Sequence, residues 1–198
     1  MNHYEDLSDE KLAELSTDSE QAFYVLIKRY EKKILAYISR STGGMPEQSE
    51  DILQETFLKV YKNLNAFDNS LKFSSWLYRI AHNEIVSFYR KNKKEKLTVS
   101  METTLFSDGL PAIFNDTVDI SETMISDEKM LKIKEILFTL PPKYRDIIML
   151  RYLEEKDYTE ISDILKIPMG TVATQINRAK KKLKKIITKN HQWLSEKE

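Results

Sequence analysis

The sequence predicts an all-α protein of two small helical domains joined by an acidic flexible linker. Apolar residues recur at spacings of three and four over long stretches, and only four glycines and five prolines interrupt 198 residues. Residues 97–127 break this pattern, because they contain six acidic residues, no basic ones and many Ser and Thr. We therefore expect an N-terminal domain over residues 1–96, a linker over 97–127 and a C-terminal domain over 128–198.

The composition argues against an enzyme or a metalloprotein. The chain has no cysteine, and His3, His82 and His191 are far apart, so we expect no disulfide, metal or other cofactor. No glycine-rich phosphate loop and no nucleophile beside a base stand at motif spacing. No apolar run has the length of a membrane span and the N-terminus is acidic, which predicts a cytoplasmic protein.

The distribution of charge points to nucleic acid although the formal net charge is zero. Residues 51–96 carry nine basic and five acidic side chains, and residues 158–198 carry nine basic and four acidic ones. Local patches decide binding to phosphates, so these two segments are candidate DNA-binding surfaces. The acidic remainder predicts weak binding to free duplex DNA.

The N-terminal domain begins with a short helical signal, followed by an amphipathic helix over residues 19–40. Its apolar stripe comprises Ala22, Phe23, Leu26, Tyr30, Ile34 and Tyr37. Gly43 to Pro46 end this helix, and the next one begins near Pro46 to Glu50.

That next helix has a predicted core stripe and one apolar residue on its other face. The stripe comprises Leu53, Phe57, Val60, Tyr61 and Leu64, and the opposite face comprises Asp51, Gln54, Glu55, Leu58 and Lys62. Leu58 is either an ordinary surface leucine or an anchor for a partner protein, ringed by polar residues that set its register.

A second helix is predicted over residues 73–93, with a nucleic-acid face opposite its buried stripe. The buried stripe comprises Phe73, Leu77, Ile80, Ala81, Ile85 and Phe88, and the other face comprises Tyr78, Arg79, His82, Val86, Tyr89, Arg90 and Lys93. Cations alternating with aromatic rings suit a strand with unpaired bases. The preceding loop, residues 65–72, has amides and hydroxyls that can bond base edges, although it also has the composition of a plain turn.

The segment DILQETFLKVYKNLNAF, followed by WLYRIAHNEIVSFYRK, resembles region 2 of bacterial RNA polymerase sigma factors of the extracytoplasmic-function group. The resemblance implies that the first helix docks on the clamp helices of the largest polymerase subunit, and that the loop and second helix capture unpaired bases of the minus-ten promoter element. The implied polymerase-binding residues are Asp51, Gln54, Glu55 and Leu58. The implied minus-ten residues are Asn65, Phe67, Asp68, Lys72, Trp76, Arg79, Asn83 and Arg90. Ser87 departs from the family, which usually has an acidic residue there.

The linker, residues 97–127, has two interpretations. It is a tether with local apolar clusters, or an extended segment that lies in a basic groove of a partner. The resemblance favours the second interpretation, since the family's linker threads towards the polymerase active-site and RNA-exit channels.

The C-terminal domain predicts a helix-turn-helix. Apolar helices are expected over residues 128–140 and 143–155, and Asp157 with Glu160 has capping-box spacing ahead of a third. We expect Ile161, Ile164 and Leu165 to face Val172 and Ile176, with Ile167 filling the turn. An αα-hairpin with a solvated lysine-rich face is the alternative.

The segment from LPPKYRDIIMLRYLEE to TVATQINRAKKKL is similar to sigma region 4, which reads the minus-thirty-five element. The predicted DNA-binding residues are Thr171, Thr174, Gln175, Arg178, Lys181 and Lys182. Lys166 and Pro168 stand where the family's turn often has glycine and serine. Ala173, Thr174 and Gln175 replace a more basic trio, so the resemblance implies the fold but leaves the preferred base sequence open.

Together the two motifs predict a sigma factor whose partners are core RNA polymerase and promoter DNA, with an anti-sigma factor as a further candidate partner. The alternative is a two-domain helix-turn-helix regulator that binds duplex DNA without polymerase. The aromatic and basic face of residues 73–93 argues against the regulator, because a regulator has no need to hold unpaired bases.

Overall fold

The computed structural model describes residues 4–92 and 135–189, and all regular secondary structure in these ranges is helical. This confirms the predicted all-α class. The chain divides into two compact units, taken here as an N-terminal and a C-terminal one. The predicted linker and both of its boundaries lie outside the described residues. Among the helices that are described, none has the length and apolarity needed to cross a membrane.

Four α-helices and a short 3-10 turn build the N-terminal unit. They are α1 (Asp9–Leu15), α2 (Glu20–Thr42), α3 (Pro46–Asn63), the turn Leu64–Ala66 and α4 (Phe73–Lys91). The Ser19 hydroxyl accepts a hydrogen bond from the Ala22 N–H and so caps the start of α2. Gly43 ends this helix in the left-handed region, with φ of 80°, where glycine carries no Cβ penalty.

The core of this unit corrects the predicted stripe of α3. Ile52, Thr56 and Val60 are buried at successive four-residue steps, whereas Tyr61 is 52% exposed and Phe57 is half-buried. Leu53, Val60 and Leu64 are buried as predicted, so the buried stripe is shifted towards Ile52 and Thr56 and away from Tyr61. The Thr56 side chain can be buried because its hydroxyl donates a hydrogen bond to the Ile52 carbonyl, 2.7 Å away.

The outer face predicted for α4 is partly wrong as well. Tyr78 is 3% exposed and its ring lies 5.2 Å from that of Tyr37 on α2. The Tyr89 hydroxyl donates to the Ser41 carbonyl at 2.6 Å. These tyrosines turn inward because α2 offers a ring and a backbone acceptor to their amphipathic side chains.

The C-terminal unit contains helical residues 135–139, α5 (Pro142–Ile148), a π-helical turn (Met149–Leu153), α6 (Tyr158–Leu165) and α7 (Met169–Lys189). The predicted continuous helix over 143–155 is thus interrupted. The Glu154 N–H donates to the carbonyl of Met149, five residues back, at 3.0 Å. Met149 and Leu150 are fully buried, so the apolar pattern of this segment does not reveal the extra residue in the turn.

Candidate polymerase and nucleic-acid interfaces

The outer face of α3 presents an apolar residue among polar ones, as the sequence predicts. Leu58 is 51% exposed, and Asp51, Gln54 and Glu55 are exposed beside it at helical spacing. Tyr61, three residues after Leu58, adds apolar surface that the sequence pattern assigned to the core. Its ring lies 5.1 Å from that of Phe23, which fixes its orientation.

Lys59 connects this face to α4. Its ammonium lies 2.6 Å from a carboxylate oxygen of Glu84 on α4 and 3.9 Å from one of Glu55 on α3. Glu84 is largely buried, with a side-chain exposure of 11%, so its pairing with Lys59 offsets part of the cost of burying that charge.

The loop between α3 and α4 is an ordered turn with an exposed amide at its start. Asn65 is exposed on the 3-10 turn. The Asp68 carboxylate accepts from the Ser70 N–H at 2.9 Å, and the Asp68 carbonyl accepts from the Leu71 N–H at 2.9 Å. The Ser70 hydroxyl and N–H lower the pKa of Asp68, so this carboxylate stays charged and serves the turn itself.

An aromatic cluster fastens that loop to the start of α4. The ring of Phe67 lies 5.5 Å from that of Phe73 and 5.1 Å from that of Trp76. Trp76 is only 9% exposed, and Phe67 is half-buried. Trp76 therefore packs the loop against the helix, while Phe67 retains a partly accessible surface.

The outward face of α4 carries polar residues, with one of the two predicted tyrosines buried and the other half-buried. Asn83 and Arg90 are exposed and Arg79 is half-buried, at positions that follow one face of the helix. Lys72, exposed, precedes the helix as its N-cap. The predicted face loses Tyr78 to the interior, Tyr89 is half-buried with its hydroxyl turned to Ser41, and Lys93 lies outside the described residues.

His82 also lies on the inner side of α4. Its Nδ1 atom is 3.2 Å from the Tyr37 hydroxyl, and burial lowers the pKa of the imidazole to about 4. The imidazole is therefore neutral at pH 7, and its role is in packing α4 against α2.

Acid should destabilise the N-terminal unit through His82. Since its folded-state pKa lies below the unfolded value of about 6.5, protonation favours the unfolded chain, and stability falls as the pH drops from 6.5 towards 4. We expect the wild type to lose roughly 3 kcal/mol more than His82→Gln over this window. Urea unfolding in a Trp193→Phe background, with Trp76 as the fluorescent probe, measures the loss. Equal losses in both proteins would show that His82 does not cause them.

The helix-turn-helix of the C-terminal unit is closed by reciprocal hydrogen bonds. The Asp157 carboxylate accepts from the Glu160 N–H at 2.8 Å, and the Glu160 carboxylate accepts from the Asp157 N–H at 3.1 Å, which confirms the capping box. In the turn, the Ser162 hydroxyl donates to the Ile167 carbonyl at 2.6 Å. Lys166 has φ of 53°, in the left-handed region where glycine carries no Cβ penalty.

Helix α7 is buried on one side, as predicted, and exposed on the other. Ile161, Ile164, Val172 and Ile176 are buried, whereas Leu165 and Ile167 are only half-buried. Of the predicted DNA-binding residues, Thr174, Arg178, Lys181 and Lys182 are exposed, and Thr171 and Gln175 are half-buried.

Two exposed residues of α7 were missed by the sequence reasoning. Met169 is 55% exposed at the first position of the helix, and Asn177 is exposed one residue before Arg178. Their signal was available, since recognition helices contact bases mainly through N-terminal residues of the exposed face. Lys182 differs from Lys181 in that its ammonium lies 5.6 Å from the centre of the Tyr144 ring.

Comparison with protein families gives two matches on this chain. Residues 26–95 match the model of Sigma-70 region 2, and residues 130–183 match the model of Sigma-70, region 4. The matches include both surfaces described above and leave α1 outside.

Curated relatives match over nearly their whole length. The ECF RNA polymerase sigma factor SigW of Bacillus subtilis is 34% identical over 180 residues, which cover 88% of this chain and 94% of the relative. The ECF RNA polymerase sigma-E factor of Escherichia coli K12 is 31% identical over 183 residues, covering 89% and 92%.

Two solved structures share the fold. CnrH, solved in complex with the cytosolic domain of CnrY, has a TM-score of 0.66 at 22% identity and covers 91% of this chain and 97% of its own. The sigma factor RpoE of Bartonella quintana, solved in complex with the anti-sigma factor NepR, has a TM-score of 0.58 at 18% identity, covering 82% and 94%.

Proposed function

Because the chain belongs to the ECF group of the sigma-70 family of RNA polymerase sigma factors, we propose a division of labour between its two units. The N-terminal unit docks on core polymerase and captures the minus-ten element, and the C-terminal unit reads the minus-thirty-five element. The observation that carries this proposal is the presence of both family matches, in this order, on one chain. A two-domain regulator needs only the second match.

Docking centres on Leu58. An exposed leucine surrounded by polar residues has the composition of an interface anchor, in which a central apolar side chain is desolvated and the polar rim sets the register. Asp51, Gln54 and Glu55 form that rim on α3. The partner surface is proposed to be the clamp helices of the largest polymerase subunit.

Promoter opening is assigned to the loop and the outer face of α4. Asn65 can hydrogen-bond an extruded base, and the accessible part of the Phe67 ring can stack on one. Lys72, Arg79 and Arg90 can then hold the phosphates of the same strand. Trp76 contributes by holding Phe67 in place. Nucleotidyl transfer is left to the polymerase, so the chain itself makes and breaks no bonds in this proposal.

Duplex reading is assigned to the exposed face of α7. Arg178 can bond the O6 and N7 atoms of guanine in the major groove, and Gln175 can bond adenine. The Thr174 hydroxyl donates to the Gly170 carbonyl at 2.9 Å, so its oxygen is left to accept from a base. Further along the helix, Lys181 and Lys182 have phosphates within reach.

Arg178 and Lys181 should therefore differ in the kind of defect they cause. In the holoenzyme, Arg178→Ala should cost about 1–3 kcal/mol at the preferred upstream sequence and relax the preference at one position. Lys181→Ala should weaken binding to all upstream sequences by the same factor and reduce the salt dependence of binding. Selection over randomised upstream DNA with each holoenzyme measures both effects. An unchanged consensus with Arg178→Ala and an altered one with Lys181→Ala would mean that the helix enters the groove in another rotation.

An anti-sigma factor is proposed as a further protein partner. The support is the RpoE structure of Bartonella quintana, which contains the anti-sigma factor NepR. A partner that covers Leu58 would compete with polymerase for the same face of α3.

Transcription by purified core polymerase with and without the chain tests the proposed function. Promoter-specific transcripts that require the chain are expected. Tight, specific binding of the isolated chain to one duplex site, with no effect on transcription start sites, would favour the regulator.

A further inference from the structure

The start of α4 lacks a cap from its own sequence. Lys72 is the N-cap residue and makes no side-chain capping bond, and the first turn contains no acidic residue. A helix start without such partners leaves backbone N–H groups unsatisfied and places no negative charge at the positive end of the dipole. The loop of residues 65–72, here called the capture loop because base capture is assigned to it above, ends where α4 begins, so the stability of this helix start bears on the position of the loop.

A carboxylate from α1 supplies the missing acceptor. The Phe73 N–H, at the first residue of α4, donates to an oxygen of Glu10 at 3.1 Å, across 63 positions of sequence. This bond replaces a local cap in two ways. It satisfies a backbone N–H group, and it places a negative charge at the helix start.

The position of Glu10 is itself fixed by the packing of α1. The Arg29 guanidinium on α2 bonds the Asp9 carboxylate at 2.7 Å and the Leu7 carbonyl at 2.8 Å. The Tyr30 hydroxyl donates to the same Asp9 side chain, and Leu12 is fully buried. These contacts leave α1 little freedom to move relative to α2.

Phe73 links this cap to the loop. Its ring lies 5.5 Å from that of Phe67, 5.7 Å from that of Trp76 and 5.7 Å from that of Tyr30. Glu10 holds the backbone of Phe73 while the ring of Phe73 holds Phe67. The bond and the cluster together connect α1 to the residues assigned to base capture.

We propose that Glu10 is a positioning residue for promoter opening: from α1, outside the region 2 match, it caps α4 and so sets the capture loop. Glu10 itself contacts no DNA in this account. The inference rests on the proposed function, since it assigns the loop to unpaired bases.

The test uses the full chain assembled with core polymerase on a promoter that the wild-type holoenzyme opens. Glu10→Ala removes the acceptor, Glu10→Gln retains an acceptor oxygen without charge, and Glu14→Ala removes a second glutamate of α1, which is exposed and pairs with Lys11. Permanganate reactivity of unpaired thymines measures opening, binding to core polymerase is measured separately, and thermal unfolding reports the stability of each variant.

We expect Glu10→Ala to reduce opening about threefold to tenfold at unchanged polymerase binding, which is the loss expected for a helix cap. Glu10→Gln should retain most of the wild-type promoter opening, and Glu14→Ala should open the promoter like the wild type. Opening by Glu10→Ala equal to that of the wild type would overturn the proposal, as would an equal loss of opening in Glu14→Ala. Failure of the wild-type holoenzyme to open any promoter would instead contradict the proposed function.

Discussion

Replacing Leu58 with aspartate is expected to abolish detectable binding to core RNA polymerase while the helices stay folded. The side chain is 51% exposed, so its loss removes little from the core. In the proposed complex it is the desolvated centre of the interface, where a carboxylate would be buried without a partner. We expect affinity for core enzyme to fall by at least about a hundredfold, roughly 3 kcal/mol.

Two matched substitutions on α3 make this result specific. Asn63→Asp introduces the same charge at an exposed position on another side of the helix and should bind polymerase like the wild type. Leu53→Asp places the same negative charge at a buried position and should unfold the N-terminal unit. If circular dichroism shows that Leu58→Asp is unfolded as well, Leu58 belongs to the core; if it is folded and binds normally, the docking face lies elsewhere.

The double substitution Asn65→Ala with Phe67→Ala should reduce promoter opening by at least about tenfold. The reason is the loss of one amide that bonds a base and one ring that stacks on another, with stacking alone contributing about 1–3 kcal/mol per base. Permanganate footprinting of unpaired thymines measures the effect. Binding to core polymerase should not change, because the loop is distinct from the Leu58 face.

Single substitutions separate direct from supporting roles in that loop. Asn65 is exposed, so Asn65→Ala should reduce opening without lowering thermal stability. Trp76 is buried against Phe67 and Phe73, so Trp76→Ala should lower both. Asn69→Ala, an exposed amide of the same loop without an assigned role, is the control and should resemble the wild type. Wild-type opening by the double variant would remove the loop from the mechanism.

Local patterns in the sequence were sufficient for α2, α4 and the capping box, and for the exposure of Leu58 on α3. Helical periodicity gave α2 and α4 within about two residues of their ends, and the spacing of Asp157 and Glu160 gave the capping box. The exposure of Leu58 followed from the same periodicity. These features depend on residues a few positions apart, and that is the range over which helix geometry constrains a sequence.

Features that depend on distant partners could not be predicted. The sequence pattern predicts that Tyr89 faces outward, but its hydroxyl donates to the Ser41 carbonyl, 48 positions away. The cap that Glu10 provides to Phe73 spans 63 positions, and Tyr61 contacts Phe23, 38 positions earlier, on the surface instead of entering the core. Tyrosine and threonine tolerate either environment, so periodicity alone does not fix their side of a helix.

Run-off transcription from fragments of the source organism's genomic DNA, with start sites sequenced, tests whether the chain directs core polymerase to specific promoters. Core polymerase alone, core with the chain and core with Leu58→Asp are compared at equal concentrations. We expect start sites that occur only with the wild-type chain and that share one motif near minus ten and another near minus thirty-five. Identical start sites in all three reactions, with the wild-type chain bound to core, would contradict this expectation.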